Sequence, residues 1–307
     1  RKQDASGRTP LEALVSGSAE EDVGAAAEDR TRADLAKELL RCGAQVDACN
    51  GPEGCAPLYV AANKGRTRIL RVLLDWKADI SQQSASGGSI LHFIVSSPPE
   101  ATSSDQLREL TSELLRRSAR VDAVDKEKLT PLHLAARAGR ADALLTLTTK
   151  QGDPEARDAF GRTPLHMVAE SNADADGVKE LLKWLVDPRQ SGVGGATDRA
   201  GRTALHHAAA RGQLAFLAAL LERKADHMKT DSSGATALHL AAQWAVTAPT
   251  VDAAEGPVHA LLAANACTQL VMEDGRLTPL ELARRKAAES GDYHGMLARL
   301  SVLLAPQ

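Results

Sequence analysis

Residues 201–226, GRTALHHAAARGQLAFLAALLERKAD, contain the pattern that decides the fold. The tetrapeptide Thr-Ala-Leu-His near its start recurs in close variants along almost the whole chain, and each copy opens a helical pattern of Leu and Ala. The copies begin at Thr9, Ala56, Ser89, Thr130, Thr163, Thr203, Thr236 and Thr278. Self-similarity of this kind is the signature of a tandem-repeat protein, so the 307 residues are interpreted as eight consecutive repeats.

Each copy of the tetrapeptide marks the start of a helix. The Thr hydroxyl can accept a backbone N–H of the first turn, and a Pro directly after it loses no hydrogen bond, because that N–H is unpaired in any helix. In the fourth repeat, Gly139 ends this helix and an apolar stripe from Leu144 to Leu147 begins a second one. Two short helices cannot bury an apolar face alone, so the helical hairpins are predicted to stack as an all-α solenoid.

The repeats resemble the ankyrin repeat. The signature of that family adds a turn Gly two residues before the Thr, an Ala-Ala pair and a Leu-Leu pair, and the sixth repeat has Gly201, Ala208-Ala209 and Leu220-Leu221. The resemblance covers residues 4–304 and implies a single ankyrin-repeat domain over residues 1–307. Its approximate repeats are 4–47, 48–80, 81–122, 123–154, 155–188, 189–226, 227–267 and 268–307.

The spacing of the motif leucines alternates between long and standard repeats. From Leu11 to Leu280 the successive intervals are 47, 33, 41, 33, 40, 33 and 42 residues, and 33 residues is the ankyrin period. Repeats 1, 3, 5 and 7 therefore carry insertions, predicted between the first and second helix. These inserts are residues 15–31, 96–105, 171–177 and 246–256. Their Pro, Ser, Gly and Asp content predicts loops.

All four inserts are acidic. Their formal charges sum to −10, whereas the whole chain carries −3. One hypothesis is that this acidic rim docks a basic, extended protein partner by electrostatic steering. The alternative is that acidic loops simply remain solvated, as exposed loops commonly do.

Composition excludes several classes of function. A net charge of −3 with 3% aromatic residues provides neither the basic surface nor the stacking platform that nucleic acid requires, so no nucleic-acid partner is expected. The sequence has no apolar run long enough to span a bilayer, no signal peptide at Arg1 and no Asn-x-Ser/Thr acceptor. We therefore expect no membrane insertion, and a cytoplasmic or otherwise intracellular location.

Residue types that often carry chemistry have structural explanations here. Five histidines occupy the same motif position: His92, His133, His166, His206 and His239. Neighbouring helices pack about 8–10 Å apart, whereas zinc ligands lie about 2.0–2.3 Å from the metal, so these histidines cannot share one ion. The ankyrin resemblance implies that each forms hydrogen bonds within its turn. Because Cys42, Cys49 and Cys55 lack C-x2-C spacing and no catalytic constellation is recognisable, we predict no enzyme, cofactor or metal site.

The resemblance to ankyrin arrays implies protein binding through the turn tips and the exposed face of the first helix. These positions are the residue before each motif Thr and the two residues after the Ala-Ala pair. Since Arg and Trp are frequent binding hot spots, the strongest candidates lie in repeats 5 to 7. The predicted partner-binding residues are Lys64, Arg137, Phe160, Arg162, Arg202, Arg211 and Trp244. The alternative for the arginines is a solvated network with the turn carboxylates Asp158 and Asp198.

The sequence thus predicts a non-enzymatic protein-binding module or scaffold, whose partner is a protein of unassigned identity. Two alternatives remain open. The chain could be the targeting or regulatory ankyrin region of a larger enzyme, such as a ubiquitin-ligase adaptor, kinase or acyltransferase. It could also be a structural subunit of a large assembly.

Overall fold

The computed structural model describes most of the chain, and helices are the regular secondary structure of the described part. The described residues are 3–4, 6–17, 25–50, 56–98, 102–171, 173–185, 195–272, 277–290 and 296–305. Within these ranges there are sixteen α-helices, one 3₁₀ turn at Val168–Glu170 and no strand. The predicted all-α fold is confirmed.

Each of the eight repeats contributes two helices. The first helices are α1 (Pro10–Ser16), α3 (Pro57–Asn63), α5 (Ile90–Val95), α7 (Pro131–Arg137), α9 (Pro164–Met167), α11 (Ala204–Ala210), α13 (Ala237–Ala245) and α15 (Pro279–Ser290). The second helices are α2 (Ala25–Arg41), α4 (Thr67–Asp75), α6 (Ser104–Arg116), α8 (Ala141–Thr149), α10 (Ala175–Leu185), α12 (Leu214–Glu222), α14 (Val251–Ala263) and α16 (Met296–Leu303). Every first helix begins directly after the first residue of a tetrapeptide copy, which confirms the predicted solenoid of helical hairpins.

The start of each first helix follows from its capping chemistry. Before α1, the Thr9 hydroxyl accepts the Glu12 N–H at 3.3 Å, and the Glu12 carboxylate accepts the Thr9 N–H at 2.6 Å. This reciprocal pair is a capping box, which satisfies two donors that a helix start leaves unpaired. In repeats with a motif histidine the imidazole replaces the carboxylate, as where His206 Nδ1 accepts the Thr203 N–H at 3.2 Å.

The chain divides into two compact units. The first consists of Arg1–Ala135 with Asp142–Asp153, and the second of Ala136–Ala141 with Pro154–Gln307. In the first unit α1, α3 and α5 pack successively, and α2 packs against α4. In the second unit α11, α13 and α15 form one layer, and α10, α12, α14 and α16 form the other. The single domain over residues 1–307 stays a prediction.

The inserts need one correction, because each of them ends inside a helix. In the long repeats α2, α6, α10 and α14 contain 17, 13, 11 and 13 residues, whereas α4, α8 and α12 contain 9 each and α16 contains 8. The loop prediction is therefore wrong for the last part of each insert. Ser103, one of the residue types on which the loop prediction rested, and Thr250 are N-caps that accept the N–H groups of Gln106 and Ala253. The insert residues 18–24, 99–101 and 172 lie outside the described residues.

Candidate functional site

Three consecutive turn tips in the second unit are each built on an aspartate, namely Asp158, Asp198 and Asp231. In each, Oδ1 accepts the backbone N–H groups two and four residues further on, at 2.8–3.0 Å. Such bonds are typical of aspartate in tight turns. Burial opposes the ionisation of Asp198 and Asp231, but the hydrogen bonds that they accept outweigh it and keep the pKa of both carboxyls below the usual range. The turns of Asp198 and Asp231 therefore keep a negative charge on a carboxylate that is largely buried.

Backbone hydrogen bonds join these tips to one another. The Phe160 carbonyl accepts the Arg199 N–H at 2.9 Å, and the Ala200 carbonyl accepts the Ser232 N–H at 2.9 Å. Gly201 has a φ of +75°, and a Cβ on it would lie 2.8 Å from the Ser232 nitrogen. Only glycine combines this conformation with so close an approach. The register of neighbouring tips is therefore fixed by their main chains.

Phe160 and Arg162, both predicted as contact residues, lie together on the first of these tips. The Phe160 ring is 57% exposed, and the Arg162 guanidinium carbon lies 4.9 Å from its centroid, within cation–π range. The same guanidinium forms ion pairs with Asp158 at 2.8 Å and with Glu170 at 3.5 Å. An aromatic ring is thus displayed at the surface beside a cation held in place by two carboxylates.

Arg202 and Arg211 extend this surface into the sixth repeat. Arg202 Nε donates to Asp231 Oδ2 at 3.1 Å, and the Arg211 guanidinium donates to Glu170 Oε1 at 3.0 Å. Glu170 therefore bridges Arg162 and Arg211 across two repeats. The predicted alternative, an arginine network with Asp158 and Asp198, describes the Arg162–Asp158 pair only, because Arg202 pairs with Asp231 and Arg211 with Glu170. The Arg202 and Arg211 side chains remain 41% and 51% exposed.

The three other predicted contact residues have different surroundings. Trp244 is half-buried and packs on Gly212 of the preceding repeat, where an added Cβ would meet the indole at 2.2 Å. Lys64 is half-buried, and its Nζ donates to the Ser16 carbonyl in the first repeat. Arg137 is exposed at the end of α7. Their contact with a partner stays a prediction. Trp244 and Lys64 each already make a contact with the neighbouring repeat, through packing and through a hydrogen bond respectively.

The motif histidines link neighbouring repeats. His92, His166, His206 and His239 each accept a backbone N–H at Nδ1 and lie 2.9–3.2 Å through Nε2 from a carbonyl of the next repeat. The predicted structural role is confirmed for these four rings. The sequence suggested bonds within the turn and missed the bond to the next repeat. Burial lowers the pKa of His166 to about 4, with a smaller contribution from the nearby His207.

Sequence reasoning missed three residues of this surface: Arg157, Arg199 and His207. Glu170 lies in the predicted first-helix column but was not among the predicted contact residues. Arg157 donates to the carbonyls of Gly161 and Thr197, and His207 contacts Asp198 at 2.8 Å. Arg157 and Arg199 precede and follow the turn aspartates, so they lie outside the two columns from which contact residues were predicted. A search around each turn aspartate, as well as before each motif Thr, would have found them.

Metal-holding clusters and membrane-spanning helices are absent from the described ranges. These ranges contain no group of three or more His, Cys, Asp or Glu placed to hold a metal ion. Within the same ranges, no helix has the length and apolarity needed to cross a membrane.

Comparison with known proteins agrees with this geometry. A family model described as "Ankyrin repeats (3 copies)" matches residues 100–191 and 173–251, and a second, "Ankyrin repeat", matches residues 53–85. The chain belongs to the ankyrin-repeat family. The solved ankyrin repeat domain of Bcl-3 aligns with a TM-score of 0.52 at 22% identity, over 77% of this chain and 98% of that one. That likeness supports the fold.

Curated relatives are much longer proteins. Human transient receptor potential cation channel subfamily A member 1 is 28% identical over 70% of this chain and 18% of its own length. Human neurogenic locus notch homolog protein 2 is 29% identical, over 74% of this chain and 8% of its own length. Human inversin is 32% identical, over 69% of this chain and 18% of its own length. This ankyrin-repeat chain therefore spans less than a fifth of each of these relatives.

Proposed function

We propose that this ankyrin-repeat chain is a non-enzymatic protein-binding module that uses the turn tips and first-helix faces of its second unit. Ankyrin repeats are protein–protein interaction modules, which gives the general class. One observation supports the location: Phe160, Arg162, Glu170 and Arg211 form a continuous, partly exposed chain of contacts over two consecutive repeats. Residues of the aromatic and arginine types dominate binding energy in many interfaces.

The ordering of this surface favours recognition. Arg162 is held by two carboxylates and the tips are joined through their main chains, so little conformational freedom remains to be lost on binding. Arg202 and Trp244 belong to the same proposed surface, although each also has an internal contact. Lys64 and Arg137 are proposed as separate contacts.

Two wider roles remain as alternatives. Because the relatives are much longer, the chain could serve as the targeting or regulatory region of a larger enzyme or as a structural part of a large assembly. Its intracellular location likewise remains a prediction.

The proposal is tested by comparing which interacting proteins co-purify with the parent chain and with its variants. Phe160→Ala combined with Arg211→Glu removes the exposed ring and reverses an exposed charge without touching a buried carboxylate of the turns. We expect this pair to lose the specific interactors that affinity purification and mass spectrometry find for the parent chain. Arg116→Glu, on the exposed side of α6, is the charge-matched control and should retain them.

The melting temperature of both variants should stay near that of the parent, because the altered side chains are exposed. An interactor that binds the parent and the Phe160/Arg211 variant equally, in a purified binary assay, would place the binding surface elsewhere.

A further inference from the structure

In the turn tips of repeats 5 to 7 the carboxylates are buried and the cationic side chains lie nearer the surface. The carboxylates of Asp158, Asp198 and Asp231 have side-chain exposures of 0%, 8% and 2%, and each is engaged by N–H groups of its own turn. The cationic side chains lie outside them. They are Arg157, Arg162, Arg199, Arg202 and Arg211. The surface that a partner meets is therefore more positive than the sequence of the same segment indicates.

Arg199 is the clearest of these cations. It is exposed, and among the residues that the structure describes no carboxylate forms an ion pair with it. Its main-chain N–H binds the Phe160 carbonyl, and its Cγ lies 3.2 Å from the position of a Cβ on Gly161. The Arg199 side chain thus passes beside the tip that carries Phe160, with its charge available to a ligand.

The tip that carries the exposed Phe160 ring is therefore approached by two cationic side chains. Arg162 covers the Phe160 ring at 4.9 Å from one repeat, and Arg199 approaches the same tip from the next. Arg211 lies beyond Glu170, which it shares with Arg162. Arginines of this kind can bind carboxylates in a bidentate manner, while the ring offers an apolar contact.

Resting on the proposed function, we infer that this tip surface binds an extended acidic protein segment, rich in Asp or Glu, that carries an apolar side chain for Phe160. The occupant follows from charge complementarity: carboxylates of the segment pair with Arg199 and Arg211, and its apolar side chain packs on the exposed ring. An extended segment fits because the cations are distributed along consecutive tips rather than gathered in a pocket. This partner is opposite in charge to the basic one that the acidic inserts suggested.

The test uses a library of random 16-residue peptides displayed on yeast and sorted against the purified full chain. The enriched peptides should be acidic and should contain an aromatic or aliphatic residue. Arg199→Glu/Arg211→Glu should weaken their Kd at least tenfold, and raising the salt from 50 to 300 mM should weaken binding to the parent chain. Arg199→Lys/Arg211→Lys should remain within about threefold of the parent, and Arg116→Glu should bind like the parent.

Enrichment of basic or neutral peptides overturns the inference, as does failure to enrich any peptide whose binding needs Arg199 and Arg211. A neutral pair, Arg199→Gln/Arg211→Gln, replaces the reversed pair if the latter melts at a lower temperature. The experiments distinguish a failure of the proposed binding surface from a failure of the proposed acidic ligand. If protein interactors still depend on Phe160 but acidic peptides do not bind, the surface stands as an interface and only the assigned chemistry is wrong.

Discussion

The motif histidine is held as a neutral ring because both of its nitrogens are already used. A backbone N–H points at Nδ1, so Nδ1 must be unprotonated, and the proton on Nε2 is donated to a carbonyl of the next repeat. In His206 these contacts measure 3.2 Å to the Thr203 nitrogen and 3.1 Å to the Ala235 oxygen. If Nδ1 were protonated, its N–H would face the backbone N–H that now donates to it, and the hydrogen bond would be lost. Burial, the main cause, accordingly lowers the pKa of His92, His206 and His239 as well as that of His166.

These lowered pKa values predict a loss of stability in mild acid. An unfolded histidine takes up a proton near pH 6.5, whereas folded His166 does so only near pH 4, so the unfolded state binds more protons between those values. The free energy of unfolding should fall as the pH drops from about 6.5 to 4, by about 3 kcal/mol from His166 alone. Denaturant unfolding at several pH values measures it. His166→Gln should flatten the slope, and an unchanged free energy of unfolding across this range would contradict the assignment of a neutral ring.

At the scale of secondary-structure elements, the inserts lengthen the second helices and supply their N-caps. Ser103 and Gln106 form a complete capping box at the start of α6, with bonds of 3.4 and 3.2 Å. Ser103→Ala should lower stability by roughly 0.5–2 kcal/mol, the usual effect of losing an N-cap. Ser104→Ala, one residue further on and exposed, is the matched control and should be neutral, because Ala suits a helix interior. Equal denaturant midpoints for the two variants would favour the loop interpretation.

The helix starts show how far the sequence could predict this fold. Thr, Pro, Leu and His at fixed spacing indicated the first helices, since capping and periodicity are local. The starts of the second helices in the long repeats were harder to predict, because residues such as Ser103 and Thr250 are common both in loops and at N-caps. The surface was predicted in part: Arg162 came from the motif columns, and Phe160 from its position one residue before the turn Gly161. Arg199 lies outside those columns, and its place beside Phe160 depends on a main-chain bond between repeats 5 and 6.

Packing between layers predicts unequal effects for equivalent leucines. Leu238 and Leu11 are both fully buried, but α13 packs against α11, α14 and α15, whereas α1 packs against α2 and α3. Leu238→Ala should cost roughly 2–5 kcal/mol, because the surrounding layers cannot all close on the cavity. Leu11→Ala should cost less, since α1 packs against fewer helices that could hold the cavity open. Urea midpoints compare the two variants directly, and equal losses would count against nearest-neighbour stacking.

At the scale of the whole molecule, the acidic inserts and the cationic turn tips predict partners of opposite charge. The inserts carry −10 in a chain of net −3, so the remaining residues are net positive. The described insert carboxylates also serve the helices: Asp174 Oδ1 accepts the Gly177 N–H at 2.8 Å, and Glu255 pairs with Arg299 of α16 at 2.6 Å. Negative charge near a helix N-terminus is stabilising. The acidity of the inserts is therefore partly explained without a basic partner.

Neutralising two exposed insert carboxylates separates the two hypotheses about the partner. Asp176 and Asp252 lie in the first turns of α10 and α14, and both are exposed. If the acidic rim docks a basic partner, Asp176→Asn/Asp252→Asn should slow association several-fold at low salt, since steering depends on clustered charge and is screened by added ions. If acidic segments bind the arginine tips, the same variant should associate at an equal or faster rate, because it removes like charge. Stopped-flow association at 20 and 200 mM salt, with an interactor or a selected peptide, measures the difference. We expect an equal or faster rate of association. The melting temperature should fall slightly, because both helix starts lose a stabilising negative charge. A several-fold slower association would instead support the acidic rim as the docking surface.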